Sequence, residues 1–342
     1  MSKTMFLFRS NLRILEGYHK YTNLEDFKLK CWDFYLLFPL WLLENDYFDE
    51  VVIWRLQPKK FQGDIIFNLP DGKKYIQRWI KSFQEIFKYS KPSLSFFRGG
   101  FSEYDHITKQ NPEFFGTKLY LGAGKRVTPQ YGGIYDKILV ESEEELKNIK
   151  NSIPFYKTTN PNIFKPLNLD KIYDICWSCN FTQIRHKGQE FFISSISKSP
   201  FLKSLKIIHT GNKYEVGKEL CKKYNVTNIE FVGWLDRYEL NKTLNQSKVG
   251  IVTSNKEDGC PRISSEILMS GTPLNLRKQT RLLDYYKGGV VRFEDSKISK
   301  VVNMVLDNYN KYSKDVLKSI KDELSFEKIC KKNMDLWTKN NC

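Results

Sequence analysis

The chain has 342 residues, enough for about two domains, and 41% of them are hydrophobic and 15% aromatic. That composition excludes a disordered chain. The formal charge of +16 is spread, +6 over residues 1–166 and +10 over 167–342, with no block of five like charges, so a basic arm is excluded too. Such a charge raises nucleic acid and anionic membrane as partners. Abundant Lys, Asn, Ile, Phe and Tyr, with alanine only at Ala123, supply a blander source in AT-rich coding.

Residues 1–10 lack a charged n-region and a long apolar h-region, so no secretory signal is expected. Residues 5–8 form a short apolar run, read as the first strand. The most apolar stretch, residues 31–43, is shorter than the ~18–20 residues of a spanning helix, and Asp33 and Pro39 interrupt it. A buried helix is expected there, with a lipid-facing surface as the alternative. Residues 48–56 (FDEVVIWRL) read as a strand. Residues 74–89 carry aromatic and aliphatic side chains at helical spacing. A short apolar run at 93–97 ends in Arg98, Gly99 and Gly100. Residues 117–122 and 135–140 are further strands. Ser142, followed by three glutamates, suits a helix N-terminus. Residues 154–166 hold three prolines and no periodicity, as a linker would.

The alternation then restarts. Strands are expected at 172–176, 205–210, 228–232, 249–253, 273–276 and 289–293. Helices are expected at 189–197, 215–224, 238–246 and 263–269, and from Ile298 onward. Strands alternating with helices argue for α/β layers of parallel strands. The expected domains are residues 1–155, a linker over 156–167, a second domain over 168–320, and a C-terminal helix over 321–342. Ligands of such folds sit at strand ends and helix N-termini, here in a cleft between two sheets.

Seven cysteines are scattered along the chain. Cys176 and Cys179 make a lone CxxC, with no second pair or histidines at zinc spacing. Reduced structural thiols are expected, as in a cytosolic protein.

The densest chemistry lies at 254–273. Gly259 permits close backbone approach, and Pro261 suits a first helical turn. The helix from about Arg262 offers an anion site at its start. Asp258 precedes that start and Glu266 follows two turns on. Carboxylates around a phosphate-binding helix start suit a ligand with both phosphate and hydroxyls, and a capped helix with a surface carboxylate is the bland alternative. Arg185 and Lys187, before Gly188, form a second cationic cluster able to clamp a diphosphate. In the first half, Arg98, Gly99 and Gly100 precede Asp105 and His106. Gly122–Gly124 with Lys125 and Arg126 make another glycine-rich cationic strand end, without P-loop spacing.

In order, these motifs resemble the GT-B glycosyltransferases of the family 4 type. Asp258 and Glu266 stand eight apart, as that family's two acidic residues do, and Gly271, Thr272 and Pro273 follow. Phe231-Val232-Gly233 and the 162–166 linker are similar too. The resemblance covers roughly residues 117–295. It implies two Rossmann-like domains facing across a cleft, with the C-terminal helix packed back on the first. It implies a retaining, metal-independent transfer from a UDP- or GDP-sugar co-substrate, with no cofactor. Lys187 would bind the donor diphosphate, with Arg185 as a second cation. Glu266 would hold the ribose hydroxyls, Asp258 would contact the transferred sugar, and the backbone at Gly259, Cys260, Pro261 and Arg262 would meet phosphate. Apart from the resemblance, Arg98, Gly99, Gly100 and His106 are assigned to the acceptor or donor-sugar side of the cleft, His106 as a catalytic-side polar group, and Lys125 to phosphate or an anionic acceptor.

The chain departs from the family at three places. Asp258 stands where glutamate is usual. Cys179, Asn180 and Phe181 replace the usual Gly-Arg before the lysine. Arg9, Ser10 and Asn11 replace the glycine-rich loop after the first strand. The expected acceptor is a glycan, a lipid-linked glycan or a protein, in surface polysaccharide synthesis. A modified base in duplex DNA and a catalytically decayed sugar-nucleotide binding protein are the alternatives. The expected location is cytoplasmic, with peripheral contact to the inner face of a membrane also considered.

Overall fold

The computed structural model describes residues 3–9, 21, 23–56, 64–99, 102–122, 133–182, 184–255, 261–284 and 286–338. The chain divides into two units. Unit 1 runs to Phe155 and resumes at Cys330; unit 2 is Tyr156–Ile329.

Unit 1 holds, in order, β1 (Thr4–Arg9), α1 (Leu24–Lys30), α2 (Phe34–Glu44), β2 (Glu50–Leu56), β3 (Ile65–Asn68), β4 (Lys74–Ile80), β5 (Leu94–Arg98), α3 (Ser102–Gln110), β6 (Thr117–Leu121), β7 (Lys137–Val140), α4 (Glu143–Asn148) and β8 (Ser152–Pro154). Its sheet runs β3-β4-β2-β1-β5-β6-β7-β8, and every neighbouring pair is parallel except β3 with β4. Apolar strands cover both faces, as buried parallel sheets require. One face packs Phe6, Phe8, Phe97, Tyr104 and Phe115 into an aromatic cluster. Phe8 and Phe97 stack at 4.5 Å from neighbouring strands.

The apolar stretch of residues 31–43 is a buried helix. Asp33 caps α2 by accepting the Tyr35 N–H at 3.1 Å, and Phe34 through Leu40, with Leu42 and Leu43, are buried. Among the described residues no helix is long and apolar enough to cross a membrane. Ser142 caps α4 as its position suggests, accepting from the Glu145 N–H.

One reading needs correction. Residues 74–89 are not a helix but β4 followed by a 3-10 turn over Phe83–Lys88. The apolar spacing there imitates a helix because β4 is buried on both faces. Tyr75 packs on Phe27 and Phe67, while Ile76 and Ile80 join the aromatic cluster. The stronger signal was the Pro70-Asp71-Gly72 turn, a hairpin signature that joins β3 to β4, with Gly72 at φ +84°. His106 stands exposed on α3.

Unit 2 opens with an irregular stretch whose backbone is held by side-chain amides. Asn241 accepts from the Lys165 N–H, and Asn245 accepts from the Leu167 N–H at 2.6 Å. The regular elements follow: β9 (Tyr173–Ser178), α5 (Ile184–Lys187), α6 (Gln189–Lys198), α7 (Pro200–Ser204), β10 (Ile207–Thr210), α8 (Tyr214–Tyr224), β11 (Ile229–Phe231), α9 (Arg237–Asn245), β12 (Ser247–Val252), α10 (Arg262–Met269), β13 (Leu274–Arg277), β14 (Val290–Phe293), α11 (Ile298–Asp307), α12 (Tyr309–Ser319) and α13 (Phe326–Thr338). The sheet order is β11-β10-β9-β12-β13-β14, all parallel. Counted along the chain this is 3-2-1-4-5-6, the doubly wound dinucleotide-binding order.

From Cys330 on, α13 belongs to unit 1. There Trp337 is 1% exposed, with ring contacts to Phe38 at 5.2 Å, Phe96 at 5.5 Å and Phe155 at 6.2 Å. It fills the face opposite the aromatic cluster.

Candidate nucleotide site in unit 2

The chain leaves β9 in one direction to build β10 and β11, then returns to build β12 on the other side of β9. The crevice at the carboxyl ends of β9 and β12 is therefore the switch point, where open α/β sheets bind ligands. A cavity of about 200 Å³ lies there. Its floor is made by strand ends: Ser178 closing β9 with Cys179 and Asn180 after it, Thr210 closing β10, and Thr253 and Ser254 after β12. Lys187 enters from one side; Pro261, Arg262 and Glu266 of α10 enter from another, and Trp234 and Arg237 from a third.

Lys187 is placed by the turn that follows it. Gly188 has φ +68°, and a Cβ built there would sit 2.1 Å from the Thr253 carbonyl oxygen. Only glycine lets α5 lie this close to the end of β12. The Thr253 hydroxyl donates to the Lys187 carbonyl at 2.8 Å, and the Asn255 N–H donates to the His186 carbonyl at 2.9 Å. Arg277 braces the junction from β13. It donates from Nη1 to the Thr253 carbonyl at 3.3 Å, forks onto Asp295 at 2.7 and 2.6 Å, and lies 4.0 Å over Phe191.

Glu266 is 4% exposed, and its Oε1 accepts from Arg237 Nη1 at 3.0 Å. Arg237 is partly buried, and its charge helps to offset the desolvation of the carboxylate. α10 can approach the sheet because Gly250 of β12 leaves room for Ile267. Its N-terminal turn, with Pro261 as cap residue, borders the cavity, as an anion-binding helix start would.

His209 on β10 fixes the end of β9. It is fully buried, and its Nε2–H donates to the Cys179 carbonyl at 3.0 Å, since a carbonyl can only accept. Burial pushes its pKa down to about 4. The native state thus binds fewer protons than the unfolded state between pH 4 and 6.5. Stability is complete above pH 6.5 and falls by about 3 kcal/mol as pH drops to 4. His209→Gln, which can still donate to Cys179, is expected to lose that component. Urea midpoints at pH 7 and pH 4 check it, and identical pH dependence in both proteins would contradict it.

Of the residues singled out in the sequence, Lys187, Pro261, Arg262 and Glu266 meet around this cavity. Asp258, Gly259 and Cys260 lie outside the described residues, as do Gly100 and Lys125, and only the backbone of Arg185 is described. Arg98 ends β5, Gly99 follows it and His106 lies on α3, all in unit 1. Cys176 and Cys179 are free thiols, and burial raises that of Cys176 to about 12. No group of three or more His, Cys, Asp or Glu able to hold a metal ion occurs among the described residues. Sequence reading missed Arg237, Asn180, Thr210 and Trp234. Arg237 carried a signal: Asp236 and Glu239 form a helix-start signature, and Asp236 does accept from the Glu239 N–H at 2.9 Å.

No protein-family model matches the chain, and no curated protein matches it in sequence. Solved structures do match in fold. A glycosyltransferase from Rickettsia africae ESF-5 superposes over 100% of both chains with a TM-score of 0.68 and 13% identity. The sucrose-phosphate synthase of Thermosynechococcus elongatus superposes over 98% of both chains, at 0.67 and 12%. Anabaena HepE, solved in complex with UDP, superposes over 98% of this chain and 100% of its own, at 0.64 and 9%. The chain therefore has the GT-B fold of these glycosyltransferases, with two Rossmann-like parallel-sheet units.

Proposed function

We propose that this protein is a glycosyltransferase whose nucleotide-sugar donor binds at the switch point of unit 2. One observation carries the reading: a cation (Lys187), a helix start (Pro261 and Arg262) and a buried carboxylate (Glu266) border one cavity. The first two suit a diphosphate. The third suits the paired hydroxyls of a ribose, held in the accepting orientation by Arg237.

In this reading Lys187 balances the charge that builds on the diphosphate as the bond to the sugar breaks. Arg185 adds a second cation, and the backbone from Gly259 to Arg262 meets the phosphates. Asp258 reads hydroxyls of the transferred sugar. The donor is a UDP- or GDP-sugar, no metal is used, and the sugar keeps its anomeric configuration. The leaving phosphate oxygen accepts the proton of the attacking hydroxyl on the same face as the new bond. The acceptor binds unit 1, and surface glycan synthesis is the process such a transfer serves.

A melting screen of UDP- and GDP-sugars tests this. A donor at 100 times its Kd adds about 2.7 kcal/mol, worth roughly 5–10 °C for a unit of this size. Glu266→Ala is expected to lose most of the rise. No rise with any nucleotide sugar overturns the reading.

A further inference from the structure

In unit 1, β2 reaches its parallel neighbour β4 through the β3 hairpin, where a helix usually makes such a crossover. The helices before β2 pack on one face only. Phe27 of α1 meets the Tyr75 ring at 5.5 Å, and Tyr75 donates its hydroxyl to the Leu36 carbonyl of α2 at 3.1 Å. Side chains alternate along a strand, so Val52, Trp54, Ile76 and Arg78 lie on the face opposite those helices. A cavity of about 440 Å³ stands on that face, the size of a small-molecule site.

Polar groups without partners surround it. Glu50 and Lys74 open β2 and β4 and are register partners. Opposite charges so placed attract, and both line the cavity. Yet neither side chain makes an ion pair or a hydrogen bond among the described residues. The exposed side chains of Asn68 and Ser90 line the cavity in the same condition. Trp54 lines it as well. It is 1% exposed, with Phe6 and Tyr89 edge-on to its ring at 5.1 and 5.0 Å. Its Nε1 is buried and makes no hydrogen bond. A buried donor without an acceptor costs stability, and a ligand oxygen in the cavity would remove that cost.

The charges set the class of ligand. Arg78 borders the cavity, but Asp64 accepts from its Nε at 2.7 Å, and its guanidinium lies 4.6 Å over the Tyr89 ring. Its charge is thereby matched. Glu50 and Lys74 cancel each other, so an anion gains little here. A neutral ligand with several hydroxyls fits. A carboxylate accepts from two hydroxyls, while an ammonium, an amide and an indole N–H donate to hydroxyl oxygens. Ile66 and Tyr89, 48% and 40% exposed, offer apolar surface to the C–H side of a sugar ring.

We infer that the cavity on the face of β2, β3 and β4 binds a neutral saccharide unit, with Glu50 and the Trp54 Nε1–H as its polar anchors. Glu50 is the one carboxylate among the described residues lining it. Cleaving a glycosidic bond takes two, so the sugar is held and not cut. The site is separate from the unit 2 cavity and stands without the transferase reading.

The test uses the full-length protein. Glucose, galactose, mannose and N-acetylglucosamine are titrated, with glucose 6-phosphate as the charged comparison. Saturation-transfer NMR reads affinity in the wild type, Glu50→Gln and Trp54→Phe. At least one neutral sugar is expected to bind saturably and with no dependence on salt. Glu50→Gln is expected to weaken it about tenfold, because an amide replaces a charged acceptor of two hydroxyls. Trp54→Phe keeps the ring packing, loses only the N–H, and is expected to cost about fivefold. Should Trp54→Phe melt early, Glu50→Gln carries the comparison from a side chain that no fold contact needs. Equal affinity in the wild type and Glu50→Gln overturns the inference, as does the absence of saturable binding by any neutral sugar. Tighter, salt-sensitive binding of glucose 6-phosphate than of glucose also overturns it, by making the site an anion site.

Discussion

Gly188→Ala is expected to lower the melting temperature of unit 2 by roughly 6–12 °C, from a destabilisation of about 3 kcal/mol. Two costs combine. The residue sits at φ +68°, where a side chain is strained, and its new methyl would stand 2.1 Å from the Thr253 carbonyl oxygen. That oxygen is backbone at the end of a buried central strand, so it cannot rotate away as a side chain would. The strain can be relieved only by parting α5 from β12. Parting them breaks the Thr253 hydroxyl bond to the Lys187 carbonyl and the Asn255 bond to the His186 carbonyl. Lys187 then leaves its place beside the cavity, so nucleotide affinity falls along with stability. Scanning calorimetry with and without UDP reads both effects. A variant that melts and binds like the wild type would show that α5 and β12 tolerate separation.

Lys187→Ala separates chemistry from architecture. The Thr253 hydroxyl, the Asn255 N–H and Gly188 hold its turn through backbone atoms of 186–188, so removing the Lys187 side chain leaves those bonds standing. Unliganded stability is expected to fall by about 1 kcal/mol, the usual cost of a point substitution. The rate of donor turnover is expected to fall about 10²–10³-fold, as when one preorganised donor to a developing anion is removed. Lys187→Arg is expected to recover part of the loss, because the charge returns with a different reach. Initial rates of nucleotide release measure all three proteins. A wild-type rate in Lys187→Ala removes this residue from the reaction.

The parallel α/β pattern of residues 173–293 was legible because each strand there is a short apolar run closed by glycine or a polar turn. The cap at Ser142 was legible because capping is a local matter. Residues 74–89 were not, since a strand buried on both faces loses its two-residue alternation and its aromatics fall by chance at helical intervals. α3 was not legible because its nine residues carry only Tyr104 and Ile107 as large apolar side chains, too few to set a helical period. In the candidate site, Lys187, Pro261 and Glu266 could be singled out because each belongs to a contiguous motif. Arg237 could not be tied to Glu266 in this way. The two are 29 residues apart and meet only because α9 and α10 flank the same sheet edge.

The position of Trp337 bears on how the molecule is made. Phe38, Phe96 and Phe155 are synthesised long before the tryptophan that covers them, and the whole of unit 2 lies between. Unit 2 is one unbroken stretch that ends at Ile329, before the part of α13 that carries Trp337. During translation it can finish first, while one face of unit 1 keeps three phenylalanines uncovered on the ribosome. The contact of greatest sequence separation closes last. Until it closes, that face of unit 1 lacks the ring that covers Phe38, Phe96 and Phe155.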